Sequence, residues 1–152
     1  MAGLSGPLIV LDPGEKFDPD RDHVVFITHP RSAVDEFNFV FVNGLNPPEP
    51  IELQERIKHR FRIVNFHTFM ANVRIEIRDE SGLLSWRALA KDGRDLPENK
   101  RTIRPAQQVV SIRETYDFEF SPDTPGDRRL EIFDPISRKV INSVKLHVRQ
   151  PI

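Results

Sequence analysis

Histidine is the residue type in this chain best suited to bind a metal or to move a proton, and five histidines occur among its 152 residues. A metal site usually shows two ligands at a spacing that places both on one side of a strand or helix. Here no His-x-His or His-x-x-x-His pair occurs. The histidines are His23, His29, His59, His67 and His147. Unless distant strands bring them together, the sequence predicts single strand-end or surface histidines.

Three carboxylates alternate in the run Asp18-Pro-Asp-Arg-Asp22, which superficially resembles the start of a calcium loop. An EF-hand loop needs glycine at its sixth position and a bidentate glutamate at its twelfth. This chain has His23 and His29 there. The run is therefore predicted to be a solvated turn before a strand, without tight calcium binding.

Cysteine is absent from the chain. This excludes disulfides, a cysteine nucleophile and every thiolate metal site, including the blue-copper centre with its His2Cys ligand set. The only serine in a Gly-x-Ser context, in Gly3-Leu-Ser-Gly, lacks the second glycine spacing of a nucleophile elbow. Seven glycines are scattered over turns and form no phosphate-binding loop. The sequence therefore predicts no catalytic, metal-binding or cofactor-binding residue.

The charge balance excludes two classes of partner. Lys and Arg total 22 against 23 Asp and Glu, a net charge of -1, so there is no electrostatic case for nucleic acid or an anionic membrane. No apolar run approaches the roughly 20 residues of a membrane span, and the first residues lack the basic start of a signal peptide.

The dominant hydrophobic period is two, which is typical of half-buried antiparallel strands. It occurs in Phe61–Ile63, Val73–Arg78, Tyr116–Phe120 and Val144–Arg149. Eight or nine such strands, thirteen prolines and no convincing helical period predict an all-β Greek-key sandwich.

Other segments depart from that period. The runs His23–Thr28 and Phe37–Val42 are apolar on both faces, as expected of strands covered twice, with a neighbouring domain as one candidate cover. The charged stretch Lys91–Gln108 is either a binding loop or a solvated crossover with a short helical turn, and its mixed charges favour the crossover.

Two spaced motifs are the most informative feature of the sequence. Trp86-Arg-Ala-Leu-Ala-Lys-Asp-Gly predicts a strand closing in a turn at Asp92 and Gly93, and Glu114-Thr-Tyr-Asp-Phe-Glu-Phe predicts a strand opening on Tyr116. A tyrosine placed there can turn its hydroxyl back onto upstream backbone and fix the crossover between sheets. The two motifs together resemble the middle, or second, cupredoxin-like domain of bacterial multicopper oxidases.

Further segments resemble the same family in the correct order: Gly3–Val10 with Asp12–Glu15, Pro50–Gln54, and His59–Asn65. The resemblance implies that residues 1–15 are a linker and first strand following a preceding domain, and that residues 16–152 are the cupredoxin-like domain. Two positions depart from it. Arg113 and Glu55-Arg56 stand where the family usually has glycine, so both turns are expected to be built differently.

The resemblance also implies a function. The family's copper ions lie in and between the first and last domains, so this domain would hold no cofactor and act as a scaffold. Its partners would be the flanking cupredoxin domains of the same polypeptide. The parent would be a copper oxidoreductase that reduces dioxygen, periplasmic or secreted. The alternative is a stand-alone partner-binding sandwich of immunoglobulin or fibronectin type.

The segment Asn65–Met70 is the candidate contact surface for a neighbouring domain. Phe66, Phe69 and Met70 lie in a predicted turn, where burial by the domain's own core is least assured. The sequence leaves two possibilities open: a loop folded over the end of the sandwich, or an interdomain interface.

Overall fold

The computed structural model describes residues 6–11, 13–29, 40–68 and 70–150. Within these residues there are thirteen strands and one turn of 3₁₀ helix at Glu98–Lys100. The strands are β1 (Asp22–Thr28), β2 (Phe41–Val42), β3 (Ile51–Gln54), β4 (His59–Asn65), β5 (Asn72–Asp79), β6 (Gly82–Leu83), β7 (Ser85–Lys91), β8 (Arg94–Asp95), β9 (Ile103–Pro105), β10 (Gln107–Ser111), β11 (Thr115–Phe120), β12 (Gly126–Phe133) and β13 (Val140–Arg149). All except β2, β6, β8 and β9 have four or more residues, and these longer strands correspond to the eight or nine predicted.

The strands form two sheets. The first has the order β2-β1-β4-β11-β7, with β8 and β9 both paired to β7, and the second has the order β10-β5-β12-β13-β3, with β6 paired to β5. The pairs β1 with β4 and β3 with β13 are parallel, and the remaining named pairs are antiparallel. Because most neighbours in each sheet are not consecutive along the chain, the chain crosses repeatedly between the sheets. The prediction of an all-β Greek-key sandwich is confirmed.

The core lies between the sheets and follows the period-two pattern. Val73, Ile75 and Ile77 of β5 are fully buried, and the predicted inward residues of β4, β11 and β13 are buried as well, apart from the half-buried Tyr116. The Trp86 ring stacks on the Phe118 ring with centroids 3.8 Å apart and planes 7° apart. Aromatic stacking across β7 and β11 therefore anchors the centre of the first sheet.

Glu76 is the exception to the alternation. The period places it on the solvent face of β5, yet it is only 4% exposed. Its neighbours Arg74 and Arg78 extend over it: Arg78 Nη1 donates a 2.6 Å hydrogen bond to Glu76 Oε2, and Arg74 Nε lies 3.1 Å from Oε1. Long arginine side chains thus bury a carboxylate on the outer face of the sheet. This burial depends on the rotamers of Arg74 and Arg78, which the hydrophobic pattern of the sequence does not reveal.

The predicted turn at Asp92 and Gly93 is present. It joins β7 to β8 as a two-residue loop, and both residues have positive φ, 50° and 73°, as a type I′ hairpin requires. Arg56 and Arg113 also have positive φ, 59° and 67°. The two positions where the resemblance expects glycine therefore keep the left-handed backbone that glycine favours, although arginine occupies them.

At the start of the chain, the described residues 6–11 and 13–15 form no strand, and the first strand among the described residues begins at Asp22. The division into a linker with a first strand at residues 1–15 and a domain at residues 16–152 stays a prediction. The stretch Lys91–Gln108 is more regular than expected, because it contains β8, β9 and the start of β10. Its predicted helical turn is the 3₁₀ turn at Glu98–Lys100.

Candidate functional site

Two histidines that are 36 residues apart form a buried pair at one end of the sandwich. His23 and His59 lie near the starts of β1 and β4, and these strands run parallel and side by side. His23 Nε2 is 3.0 Å from His59 Nδ1, and the two residues are 9% and 1% exposed. The expectation of single histidines is wrong here. The sequence does indicate that each histidine is the first inward-facing residue of a strand. The number of residues between them does not reveal that these two strands, β1 and β4, pair with each other.

His59 Nε2 faces both backbone groups of Gln54: it lies 2.9 Å from the N–H and 3.3 Å from the carbonyl oxygen. When the ring proton of His59 is on Nδ1, Nε2 accepts from the Gln54 N–H and Nδ1 donates to His23 Nε2. Both rings are neutral. Burial, followed by the neighbouring His59, lowers the pKa of His23 from 6.5 to about 4, and burial also lowers the pKa of His59.

The remaining histidines have other partners. The His29 and His67 rings meet edge to face with centroids 5.6 Å apart, and His67 Nδ1 accepts a 3.0 Å hydrogen bond from the backbone of Met70. His147 Nδ1 lies 2.6 Å from Asp127 Oδ1 at the surface. Within the described part of the chain, no group of three or more His, Asp or Glu side chains is placed to hold a metal ion.

The outer face of the first sheet has a charged half, made of Asp22, Arg60, Arg62 and Asp117. Arg62 bridges the two carboxylates: its Nη2 is 2.8 Å from Asp22 Oδ1 and its Nη1 is 3.1 Å from Asp117 Oδ2. Arg60 Nη2 lies 2.7 Å from the same Asp117 oxygen. These charges are paired with one another, so this half presents no free charge of one sign to a ligand.

The same face has an apolar half, made of Leu8, Phe26, Val64 and Phe66. The Phe26 and Phe66 rings stack with centroids 5.9 Å apart, and Phe66 remains 38% exposed. The segment Gly6–Leu8 runs beside them and closes a surface pocket of about 250 Å³. Leu8 itself is 88% exposed. The apolar half is thus covered in part by the chain that leads into the domain.

Two of the three residues predicted as an interdomain interface, Phe66 and Met70, are described, and they have different surroundings. Phe66 lies on the apolar half of the outer face. Met70 is half-buried and packs against the core between the sheets. Phe69 lies outside the described residues. The sequence therefore indicates one member of an exposed apolar surface, and it misses Phe26 and Leu8 because each stands in a segment that is apolar on both sides.

The residues predicted to be structural are placed around the β7–β8 turn and the start of β11. Asp92 Oδ1 accepts a 3.0 Å hydrogen bond from the Thr115 backbone, and the Asp92 backbone donates to the Thr115 carbonyl at 2.9 Å. Lys91 Nζ lies 5.3 Å from the Tyr116 ring centroid. Glu114, and next the Tyr116 hydroxyl, raise the pKa of Lys91. Lys91 thus lies beside the Tyr116 ring, and the bond of the Tyr116 hydroxyl to upstream backbone stays a prediction.

The order of the strands and the two parallel pairs define the class of fold: a cupredoxin-like β-sandwich. No family model and no curated protein matches the sequence. Solved structures match its fold. A multicopper oxidase from Campylobacter jejuni matches 98% of this chain and 34% of its own, at 12% identity and a TM-score of 0.65. A multi-copper oxidase from Pediococcus acidilactici matches 97% and 30%, at 10% identity and 0.65.

A copper-containing nitrite reductase from Thermus scotoductus is similar as well, over 92% of this chain and 35% of its own, at 15% identity and a TM-score of 0.68. The chain thus spans about one third of the length of each of these three proteins. At these identities the similarity establishes the fold. No helix in the described ranges is long and apolar enough to cross a membrane.

Proposed function

We propose that the chain is the middle cupredoxin-like domain of a bacterial multicopper oxidase, and that it acts as a scaffold that binds no copper itself. The parent oxidises a substrate and transfers the electrons to dioxygen. This domain holds the copper-binding domains on either side of it at a fixed separation. By the same resemblance, the parent is periplasmic or secreted.

One observation carries the proposal: nearly the whole chain superposes on about one third of multicopper oxidase chains. The nitrite reductase is matched equally well, so the fold does not select the parent's reaction. The motifs that resemble the oxidase family in their correct order provide that selection. They are the segments Pro50–Gln54, His59–Asn65, Trp86–Gly93 and Glu114–Phe120.

The residues of this domain fit a role without copper. A blue-copper centre takes two imidazoles and a thiolate, and the chain has no cysteine. His23 Nε2 and His59 Nδ1 bond to one another, and His59 Nε2 bonds to the Gln54 backbone, so three of the four imidazole nitrogens of the pair already have a partner. The Asp127–His147 pair is exposed and has Lys145 as a further partner.

We further propose that a flanking cupredoxin domain covers the apolar half of the outer face. An exposed aromatic ring such as Phe66, stacked on the buried Phe26 beside a pocket, is the type of surface that a neighbouring domain buries. The segment Gly6–Leu8 lies on this surface. Because that segment leads into the domain, the domain before it is well placed to contact Leu8 and Phe66.

The natural reading frame around this segment tests the proposal. An oxidase parent requires a His-x-His motif upstream, in the preceding domain, and a His-Cys-His motif downstream, in the last domain. A stand-alone immunoglobulin-like or fibronectin-like module requires neither. Sequencing the natural gene on both sides of codons 1–152 therefore separates the two functions, and flanks without either motif would reject the scaffold role.

A further inference from the structure

The contact between His23 and His59 needs one ring nitrogen that carries no proton, so the pair is sensitive to a change of protonation. In the neutral state each contact has one donor and one acceptor, from Gln54 N–H to His59 Nε2 and from His59 Nδ1–H to His23 Nε2. An imidazolium carries hydrogen on both ring nitrogens. If His59 is charged, the Gln54 N–H loses its acceptor and His59 Nε2–H can bond only to the Gln54 carbonyl oxygen at 3.3 Å; if His23 is also charged, two N–H groups meet across 3.0 Å.

The surroundings relieve only part of this conflict, since burial has a larger effect on the pKa of His59 than the hydrogen bonds to the Gln54 and Asp20 backbones, which favour a charged ring. The charged groups that act on the pair are Asp18, Asp20 and Arg21 from the turn before β1 and Asp22 from β1. The carboxylates favour a charged ring, but burial has the larger effect on both histidines. Asp22 is also held by Arg62. From the core side, His23 faces the apolar ring of Phe61 at 5.3 Å.

The pair also lies at a weak point of the fold. Gln54 ends β3, which lies at the edge of the second sheet and, among the described strands, pairs with β13 alone. The turn that follows reaches His59 at the start of β4 in the first sheet. We propose that the His23–His59 pair is a pH-sensitive switch: when both rings become charged, the corner between β3 and β4 separates from the start of β1.

The sign of the effect follows from proton binding. In the open corner the rings have the ordinary pKa near 6.5, and in the closed corner the pKa of both is lower, about 4 for His23. The closed corner is therefore fully stabilised above about pH 6.5, and its advantage falls as the pH decreases toward about 4. Within that window each proton taken up on opening raises the open population about tenfold per pH unit.

Hydrogen exchange by NMR on the chain tests the proposal. We expect the protection of the Gln54 amide, corrected for the intrinsic exchange rate, to fall at least tenfold between about pH 6.5 and about pH 5. Replacing both histidines by glutamine keeps donors and acceptors but removes the titration, so this decrease should disappear. The matched control is His147→Gln, a surface histidine, which should leave the decrease unchanged.

Two results would overturn the proposal. One is a Gln54 amide that stays equally protected across the window in the wild-type chain. The other is a double glutamine variant that retains the wild-type response, which would assign the acid sensitivity to another group. If the double variant does not fold, ring titrations in the wild type decide. Both rings must become charged at the pH at which Gln54 loses protection, and a ring that is charged while Gln54 remains protected rejects the switch.

Discussion

Arg113 is the residue whose replacement tests the backbone geometry most sharply. It has φ of 67° in the turn between β10 and β11, where the chain crosses from the second sheet to the first. Its backbone N–H donates a 2.7 Å hydrogen bond to the Asn65 carbonyl, a contact that any residue type retains. We predict that Arg113→Gly makes the chain more stable to unfolding, although it removes a side chain.

The magnitude follows from two opposing terms. A left-handed backbone costs a residue with a Cβ about 1 to 2 kcal/mol, which glycine does not incur. Glycine loses more backbone freedom on folding, at a cost of about 0.5 to 1 kcal/mol relative to alanine. The difference between these two ranges predicts a gain of about 0 to 1.5 kcal/mol in the free energy of unfolding, with a centre near about 0.75 kcal/mol. Arg56, with φ of 59°, should respond in the same direction.

Urea unfolding of three proteins separates backbone from side chain. Arg113→Ala keeps the strained backbone and removes the guanidinium, so we expect no gain from it. Arg94→Gly, at a strand position outside the positive-φ set, should destabilise the chain by about 0.5 to 1 kcal/mol. If Arg113→Gly is no more stable than Arg113→Ala, the argument from backbone strain fails.

Three further predictions concern side chains. Tyr116→Phe should cost under about 1 kcal/mol of unfolding free energy if the half-exposed Lys91 is the hydroxyl's main partner, whereas a loss of about 1 to 3 kcal/mol in urea melts would show a buried corner bond to backbone. Phe66→Ser should lower the free energy of unfolding of this chain by about 1 kcal/mol. In the natural longer polypeptide it should lower the melting temperature more than Val109→Ser does, and equal effects of the two variants there would reject the interface. Asp117→Asn removes the negative charge that Arg60 and Arg62 share, leaving Arg62 with Asp22 and Arg60 with the more distant Glu15, and should destabilise the chain by about 1 to 3 kcal/mol, less in about 1 M salt; a loss unaffected by salt would contradict the electrostatic cause.

The sandwich was predictable because hydrophobic alternation in a half-buried strand is a local property. Val73, Ile75 and Ile77 face the core for the reason that their period implies, and the Asp92-Gly93 pair forms the hairpin that its φ preferences favour. The short strands β6 and β8 were beyond the sequence pattern, since two residues hold too little periodicity to be recognised.

The histidine pair could not be predicted in the same way. It depends on β1 pairing in parallel with β4, a contact between strands separated by more than 30 residues in sequence. The burial of Glu76 depends on the rotamers of two arginines. At Arg113 the two sources of prediction disagree: the family pattern has glycine there and indicates a left-handed turn, whereas arginine disfavours the positive φ that the turn requires.

Copper content tests the central claim most directly. The chain of residues 1–152 and the natural longer polypeptide are each dialysed against Cu(II), passed through a chelating resin, and measured for copper per chain and for the absorption of a blue-copper centre. The scaffold role predicts copper and blue absorption in the longer polypeptide and no stoichiometric copper in residues 1–152. Retention of about one copper per chain by residues 1–152, or a longer polypeptide that binds none, would contradict it.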